Sequence, residues 1–403
     1  MSDRCDVAVI GGGIAGSALA ALLARSGREV MLLEKDVFPR HKLCGEFLSP
    51  ESQLLLERIG CLREVLALGP ARITHGRFFS PSGRDALFGL GGEALGLSRW
   101  ALDEALFRHA GRSGASAREG AKVLRVEEAG GVRRLGVEWK GGRRTTVEAR
   151  LVVAAYGRRS ALDVPFSRAF LQEPAPYLGL KRHHRPADTE EGRRRFSELE
   201  GRVEIHLFDG GYCGLSHVEG GRVNVCVLLE KELLKSLAAP RWDDVSAAMR
   251  ERSASLRERL AALTPDEEGF HAAAGLGFSP KETSRGSVIF IGDAAGMIAP
   301  LCGDGQAMAL ESAVMLAELM GALPARLGDE DIAALGRRWD EAWRDRFDER
   351  LRRGRLLQSA LLWAPAGEAA VRLISGLPRL GEALVRATRI RSSSYAFAMD
   401  PSG

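Results

Sequence analysis

Long hydrophobic runs are missing from this chain: no window of 18 or more residues is uninterruptedly apolar, so no segment reads as a membrane-spanning helix. Cysteine is sparse and unpatterned. Cys5, Cys44, Cys61, Cys213, Cys226 and Cys302 show neither CxxC pairing nor regular spacing, so neither a zinc site nor a disulfide framework is expected, and a reducing cytoplasm fits. A one-sided charge is missing too, since 57 Lys and Arg are interleaved with 53 Asp and Glu. With no RNP, zinc-finger or helix-turn-helix signature, the small basic excess reads as a solvated surface and nucleic acid is not an expected partner. Internal repeats and low-complexity segments are absent. A strand is read within a few residues of Met1, so no signal peptide is expected there. Membrane contact is therefore expected to be peripheral at most.

What is present is a chain of 403 residues, 45% of them hydrophobic. That length exceeds what one core usually fills, so two joined domains are expected. The first motif is local and ordered. Asp6–Ile10 reads as an apolar strand, Gly11-Gly12-Gly13-Ile14-Ala15-Gly16 follows, and a helix runs to about Ser26. Gly11, Gly13 and Gly16 fit the G-x-G-x-x-G spacing: a tight turn, close approach of backbone to a pyrophosphate, and close packing of helix on strand. The helix start at Ile14 and Ala15 offers its positive end to phosphates. A second apolar strand, Val30–Leu33, ends at Glu34, the acid that such a site places on a ribose hydroxyl. Strand, glycines, helix, strand and acid in this order predict a Rossmann-like dinucleotide site.

The next segment is Phe38-Pro39-Arg40-His41-Lys42-Leu43-Cys44-Gly45-Glu46-Phe47-Leu48-Ser49-Pro50, with Ser49 and Pro50 read as the N-cap and first residue of a helix ending at Gly60. The run resembles the P-R-x-K-x-C-G-E loop of geranylgeranyl reductase-like flavoproteins, a group related to aromatic hydroxylases and flavin-dependent halogenases. The resemblance implies that Arg40, Lys42, Cys44, Gly45 and Glu46 lie along FAD. Leu97–Asp103 is similar to the family's R-x-x-L-D helix, which assigns Arg99 to the cofactor, and Lys35, Val123 and Gly157 are implied as further contacts. The apolar strand Val288–Ile291 leads into Gly292-Asp293-Ala294-Ala295-Gly296, then Pro300, Gly303, Gly305, Gln306 and Ala307. This is similar to the G-D-A-A-x-x-x-x-P-x-x-G-x-G pattern of the same flavoproteins and implies ribityl contact at Asp293 and ring contact near Gly303–Ala307. One position departs from the family: Tyr156 stands where an aspartate precedes Gly157, in a motif tied to both FAD and NAD(P)H. NAD(P)H is the expected external donor, and this substitution leaves that expectation open.

The expected fold is α/β, α+β overall: a Rossmann-like FAD-binding domain, an antiparallel-sheet substrate domain and C-terminal helices. The FAD domain is expected at 1–165 and 270–330, with 70–95 joining the substrate side. Residues 166–269 form the substrate domain and 331–403 a helical segment. Glycine pairs at 130–131 and 141–142 predict a β-meander over 120–155. Arg182–Arg195, dense in charge, reads as a mobile solvated loop. The wall above the flavin is expected from Leu207, Phe208, Tyr212, Leu215, Val225 and Val227, closed by an amphipathic tail with Trp363. Acid–base or redox candidates are Cys44, His206, Tyr212, His217 and Cys302, each also readable as structural. A halogenase is disfavoured because Gly210–His217 stands where related halogenases carry W-x-W-x-I-P. The expected activity is an FAD-dependent monooxygenase using O2 on an apolar aromatic or polyketide-type small molecule. A reductase of prenyl-type carbon–carbon double bonds is the alternative, and an FAD-holding electron carrier is the non-enzymatic one.

Overall fold

The computed structural model describes residues 3–235, 241–266, 268–324 and 326–389. Among them the strands form two sheets, one of eight strands and one of nine. At the centre of the first lies β1 (Asp3–Ile10), paired in parallel with β2 (Val30–Leu33) and with Arg144–Ala154. Ser116–Arg118 and Val288–Phe290 extend the parallel set on either side. The inner parts of its parallel strands (Val7–Ile10, Val30–Leu33, Leu151–Ala154, Val288–Phe290) are apolar and buried in one core with α1 (Ile14–Arg25) and Gly305–Gly321. The meander forms as expected: Ala121–Ala129 and Val132–Trp139 make a hairpin on the edge of Arg144–Ala154. The chain is thus mixed α/β, with the dinucleotide-type crossover at its start.

The second sheet is antiparallel except where Gly201–Phe208 runs parallel to Ala71–Phe79. Its two faces have different fates because side chains alternate along a strand. One face, with Leu207, Tyr212 and Leu228, packs against Leu361, Leu362, Val371 and Ile374 of the C-terminal helices. The other, with Phe208, Cys213, Leu215, Val225 and Val227, packs against Trp242, Val245, Met249, Leu256 and Leu260. Phe208, Leu215, Val225 and Val227 therefore leave the expected wall, and Leu207 and Tyr212 stay on it. Trp363 does not close it either, being 64% exposed.

Arg182–Arg195 is not a loop. Tyr177–Pro186 is a strand and Glu190–Ser197 a helix. The high charge density misleads because Lys181, His183 and His184 are buried, with counter-charges supplied from elsewhere in the chain. The helix expected from Pro50 starts at Glu51 and ends, as read, at Gly60 in the left-handed conformation. Among the described residues no helix is long and apolar enough to cross a membrane, and no group of three or more His, Cys, Asp or Glu could hold a metal ion. The end of the expected helical tail, 390–403, lies outside the described residues.

Candidate flavin site

The three fingerprint glycines are needed for three different reasons. Gly11 has φ +108°, and a Cβ there would lie 2.5 Å from the Ala155 carbonyl oxygen. At Gly16 a Cβ would overlap the Gly11 carbonyl oxygen, so helix and turn touch through backbone. Gly13 has no such neighbour: its Cβ would face the tips of Lys42 (3.6 Å) and Arg99 (3.8 Å). Gly13 also caps α1 without any side-chain hydrogen bond, leaving the first N–H groups of the helix to an outside acceptor.

Around this turn the charged residues converge. Glu34 is buried, accepting from the Gly12 N–H at 2.7 Å, the Asp36 N–H at 3.0 Å and Arg40 Nη2 at 3.3 Å. Burial alone would raise its carboxyl, but Arg40 and Lys42 outweigh that and hold it below the usual range. Arg40 and Arg99 both bind the buried Asp103. Lys42, also near Gly157, is pushed down by burial and then by Arg40 and Arg99. Such a cluster of cations around an open glycine turn suits a diphosphate. Lys35 is exposed beside Glu34, and Val123 is buried on a strand tied to it by the Ala121 N–H to Glu34 O bond of 2.8 Å.

Glu46, expected along FAD, is tied to the second sheet. It sits at φ +56°, fully buried, with Oε1 on the Lys181 ammonium and the Arg99 N–H (2.8 Å) and Oε2 on His183 Nε2 (2.6 Å). A non-glycine residue in this region is held by its surroundings, here by two side chains of the second sheet. Glu46 is therefore the clasp between the loop and that sheet. Asn224 adds a further tie, its Nδ2 donating to the Cys44 carbonyl at 3.0 Å; Lys181, His183 and Asn224 are not among the residues expected at the site from the sequence. Gly45, next to this clasp, is exposed.

The distal segment meets the loop here. Gln306, at the start of the Gly305–Gly321 helix, donates Nε2 to Cys44 Sγ at 3.2 Å, and its buried Oε1 has no partner. Asp293 follows the Val288–Phe290 strand, and among the described residues its carboxylate makes no hydrogen bond to the protein. Its carbonyl accepts from Lys281 at 2.7 Å. Gly292 at φ +58° and Gly303 at φ +66° allow the chain to turn between Ala294, Pro300 and Ala307. Close packing is needed at Gly292, where a Cβ would lie 3.0 Å from that of Ala15. The unpartnered Asp293 carboxylate and Gln306 oxygen, together with the uncapped α1, fit FAD on observations of this structure. Tyr156 donates to Asp163 at 2.6 Å, so a carboxylate still lies behind Gly157, reached through the phenol.

The acid–base candidates divide by sheet face. Tyr212 lies on the face shared with Leu207 and Leu228, and burial pushes its phenol well up, so it stays protonated. Cys302 is pushed up to about 12 by burial and then by Asp304, and points to Gly354 and Thr388 of the C-terminal helices. His206 and His217 are on the opposite face. His206 stacks on Phe79 and bonds Glu204 (3.3 Å) and Ser255 (2.9 Å), with Arg259 completing the network on Glu204. His217 donates its Nε2–H to the Phe196 carbonyl at 3.0 Å, with its ring edge-on to that of Phe196. The period of two points both side chains away from the Leu207 and Tyr212 face. We expect His206→Asn to leave flavin reduction and turnover within about twofold while costing about 1–3 kcal/mol in urea denaturation, since Glu204 loses a buried partner. A large loss of turnover at unchanged stability would return His206 to the site.

Comparison with known proteins agrees with this geometry. Residues 4–329 match the FAD binding domain family. The menaquinone reductase of Mycolicibacterium smegmatis is 29% identical over 332 residues, which cover 79% of this chain and 77% of that one. Among solved structures, the flavin-dependent halogenase CmlS aligns with a TM-score of 0.74 at 22% identity, covering 88% of this chain and 64% of that one. A geranylgeranyl bacteriochlorophyll reductase-like protein from Thermoplasma acidophilum gives 0.75 at 18% identity, covering 93% and 92%. With the glycine turn, its acid and the distal segment assembled around one site, the chain belongs to the FAD binding domain family and is an FAD-dependent oxidoreductase.

Proposed function

We propose that the protein is a monooxygenase that hydroxylates an apolar aromatic or polyketide-type phenol, with NAD(P)H as electron donor and O2 as co-substrate. FAD, when bound, supplies a two-electron carrier whose reduced form reacts with O2. The observation that carries the reading is the apolar wall of Leu207, Tyr212 and Leu228, sealed from water by Leu361, Leu362, Val371 and Ile374 and close to Cys302 and Leu301 of the distal flavin segment. An apolar, water-excluding surrounding suits oxygen activation, which water would short-circuit. Its affinity would come from apolar burial at roughly 25 cal/mol per Å2. Tyr212, protonated and buried, offers a hydrogen-bond donor to a substrate oxygen.

The likeness to menaquinone reductase over 79% of this chain favours a second reading, reduction of a carbon–carbon double bond in a prenyl-type substrate. There Tyr212 would be the group holding the proton that the substrate carbon receives. One experiment separates the two. Holoprotein is photoreduced without air, mixed with alkylated phenols or polyprenyl quinones, and then given 18O2. Hydroxylation predicts no product before oxygen and one 18O atom in the product afterwards. Product formed anaerobically and free of 18O would overturn the monooxygenase reading in favour of the reductase.

A further inference from the structure

Inside the Gly303–Gln306 turn, expected against the flavin ring, lies a buried carboxylate. Asp304 is 1% exposed and stands at the N-cap of the Gly305–Gly321 helix. An aspartate in that position ordinarily accepts from the first N–H groups of its own helix. Here it makes no such bond. Its Oδ1 accepts instead from Ser49 Oγ at 3.1 Å, and its Oδ2 from Arg350 Nη2. The helix start is left open, as at α1, with the unpartnered Gln306 Oε1 beside it. Arg350 belongs to the Glu349–Leu362 helix and is itself buried. Its Nη1 donates to Glu311 at 2.6 Å, further along the Gly305–Gly321 helix, and Glu311 is shared with Arg346. The two carboxylates and two guanidiniums cancel. Burial pushes the Asp304 carboxyl up to about 6 against the pull of Arg350, with Glu51 adding to the rise and Arg389 opposing it. Burial alone would lower Arg350, but Asp304 and Glu311 outweigh it and hold its guanidinium above the usual range. The same helix meets the flavin segment a second time at Gly354, where a Cβ would lie 3.1 Å from both Cys302 Sγ and Ile298 Cγ1. Further along, its Leu361 and Leu362 pack on the Leu207 and Tyr212 face.

We propose that Arg350 is a positioning residue for the flavin: by holding and neutralising Asp304, it keeps the helix start open to the ring and sets the reduction potential. Reduction adds electrons to the flavin, and a bare carboxylate beside it would oppose them. Paired with Arg350, the same carboxylate contributes little field. Its diversion from the cap leaves the first N–H groups of the helix, and their positive end, to the cofactor. The C-terminal helices thereby act on the redox centre as well as on the apolar wall. The proposal rests on FAD at the distal segment and on neither hydroxylation nor double-bond reduction in particular.

The test measures the reduction potential of the FAD-loaded protein against a reference dye during anaerobic photoreduction. Asp304→Asn keeps the shape of the turn but leaves the Arg350 charge uncancelled. The ratio of reduced to oxidised flavin at fixed potential should then rise about 10-fold, a shift of about 30 mV for a two-electron couple. Adding Arg350→Met to Asp304→Asn removes both charges, with Arg346 still pairing Glu311, and should return the potential to the wild-type value. Arg350→Lys alone should leave that value unchanged. An unshifted potential in Asp304→Asn, or a double variant shifted as far as the single one, would overturn the proposal. Weaker FAD binding with no shift in potential would also overturn it, since Arg350 would then be a structural tie only. The 18O2 experiment judges the reaction independently of this outcome, because it starts from flavin already reduced.

Discussion

Gly13→Val is expected to yield a folded protein without yellow colour. The three glycines of the turn are not equivalent, and this one isolates cofactor binding from folding. At Gly11 and Gly16 a side chain meets backbone, so substitution there would disturb the turn itself. At Gly13 the first atom of a side chain meets only the flexible ends of Lys42 and Arg99, at 3.6 and 3.8 Å. The extra methyl groups of valine would then fill the space in front of the uncapped start of α1, where the diphosphate is held by the Rossmann arrangement. FAD content by absorbance at 450 nm should fall below a tenth of wild type. The circular dichroism spectrum and the urea midpoint of the wild-type apoprotein should be retained. Full FAD content in the folded variant would contradict the placement of the adenosine diphosphate end at Gly11–Glu34.

Lys181→Met should be the most destabilising single change in the second sheet, by about 3–5 kcal/mol, because it leaves the Glu46 carboxylate buried with one cation fewer. Measured against the 5–15 kcal/mol typical of a whole domain, that is a large fraction of stability. The loss has a pH signature. Burial on its own raises the Glu46 carboxyl, but Lys181 and His183 outweigh it and hold the folded value below the usual carboxylate range. A lowered folded value means that the clasp stabilises the fold above the ordinary glutamate range and loses that contribution as pH falls through it to the lower folded value. Denaturation of wild type and Lys181→Met between pH 3 and 7 should therefore show curves that converge toward acid. Adding Glu46→Gln to Lys181→Met should recover most of the lost stability at neutral pH. A double variant as unstable as the single one would show that Lys181 acts through packing and not through Glu46.

The parts of the site legible in the sequence are those whose chemistry is contiguous. The glycine turn, Glu34 and the Gly292–Ala307 segment each carry strand, turn and helix within about 20 residues, so local rules suffice. The meander was legible for the same reason, since glycine pairs mark its hairpins. What was not legible depends on which partner covers which face. His206 and Leu207 are adjacent in sequence, yet one closes a network with Glu204 and Arg259 and the other faces the flavin side. Nothing within the strand distinguishes the two faces, because both are buried and both are covered by distant helices. The charged run at Arg182 misled for a related reason: a buried Lys181 and His183 look like solvated surface until Glu46, 135 residues earlier than Lys181, is placed between them. The tail shows the same limit, since Leu361 and Leu362 are buried while the neighbouring Trp363 is exposed.

One FAD is expected to span the glycine turn and the distal segment, with its ring on the Tyr212 side of the second sheet. The most direct measurement is an experimental structure of the FAD-loaded protein. Diphosphate density is expected against Gly13, Lys42 and Arg99, ribityl density at Asp293, and ring density against Gly303–Gln306 facing Tyr212 and Leu207. Ring density on the His206 and His217 side of the sheet, or an isoalloxazine lying away from the Gly303–Gln306 turn, would contradict it.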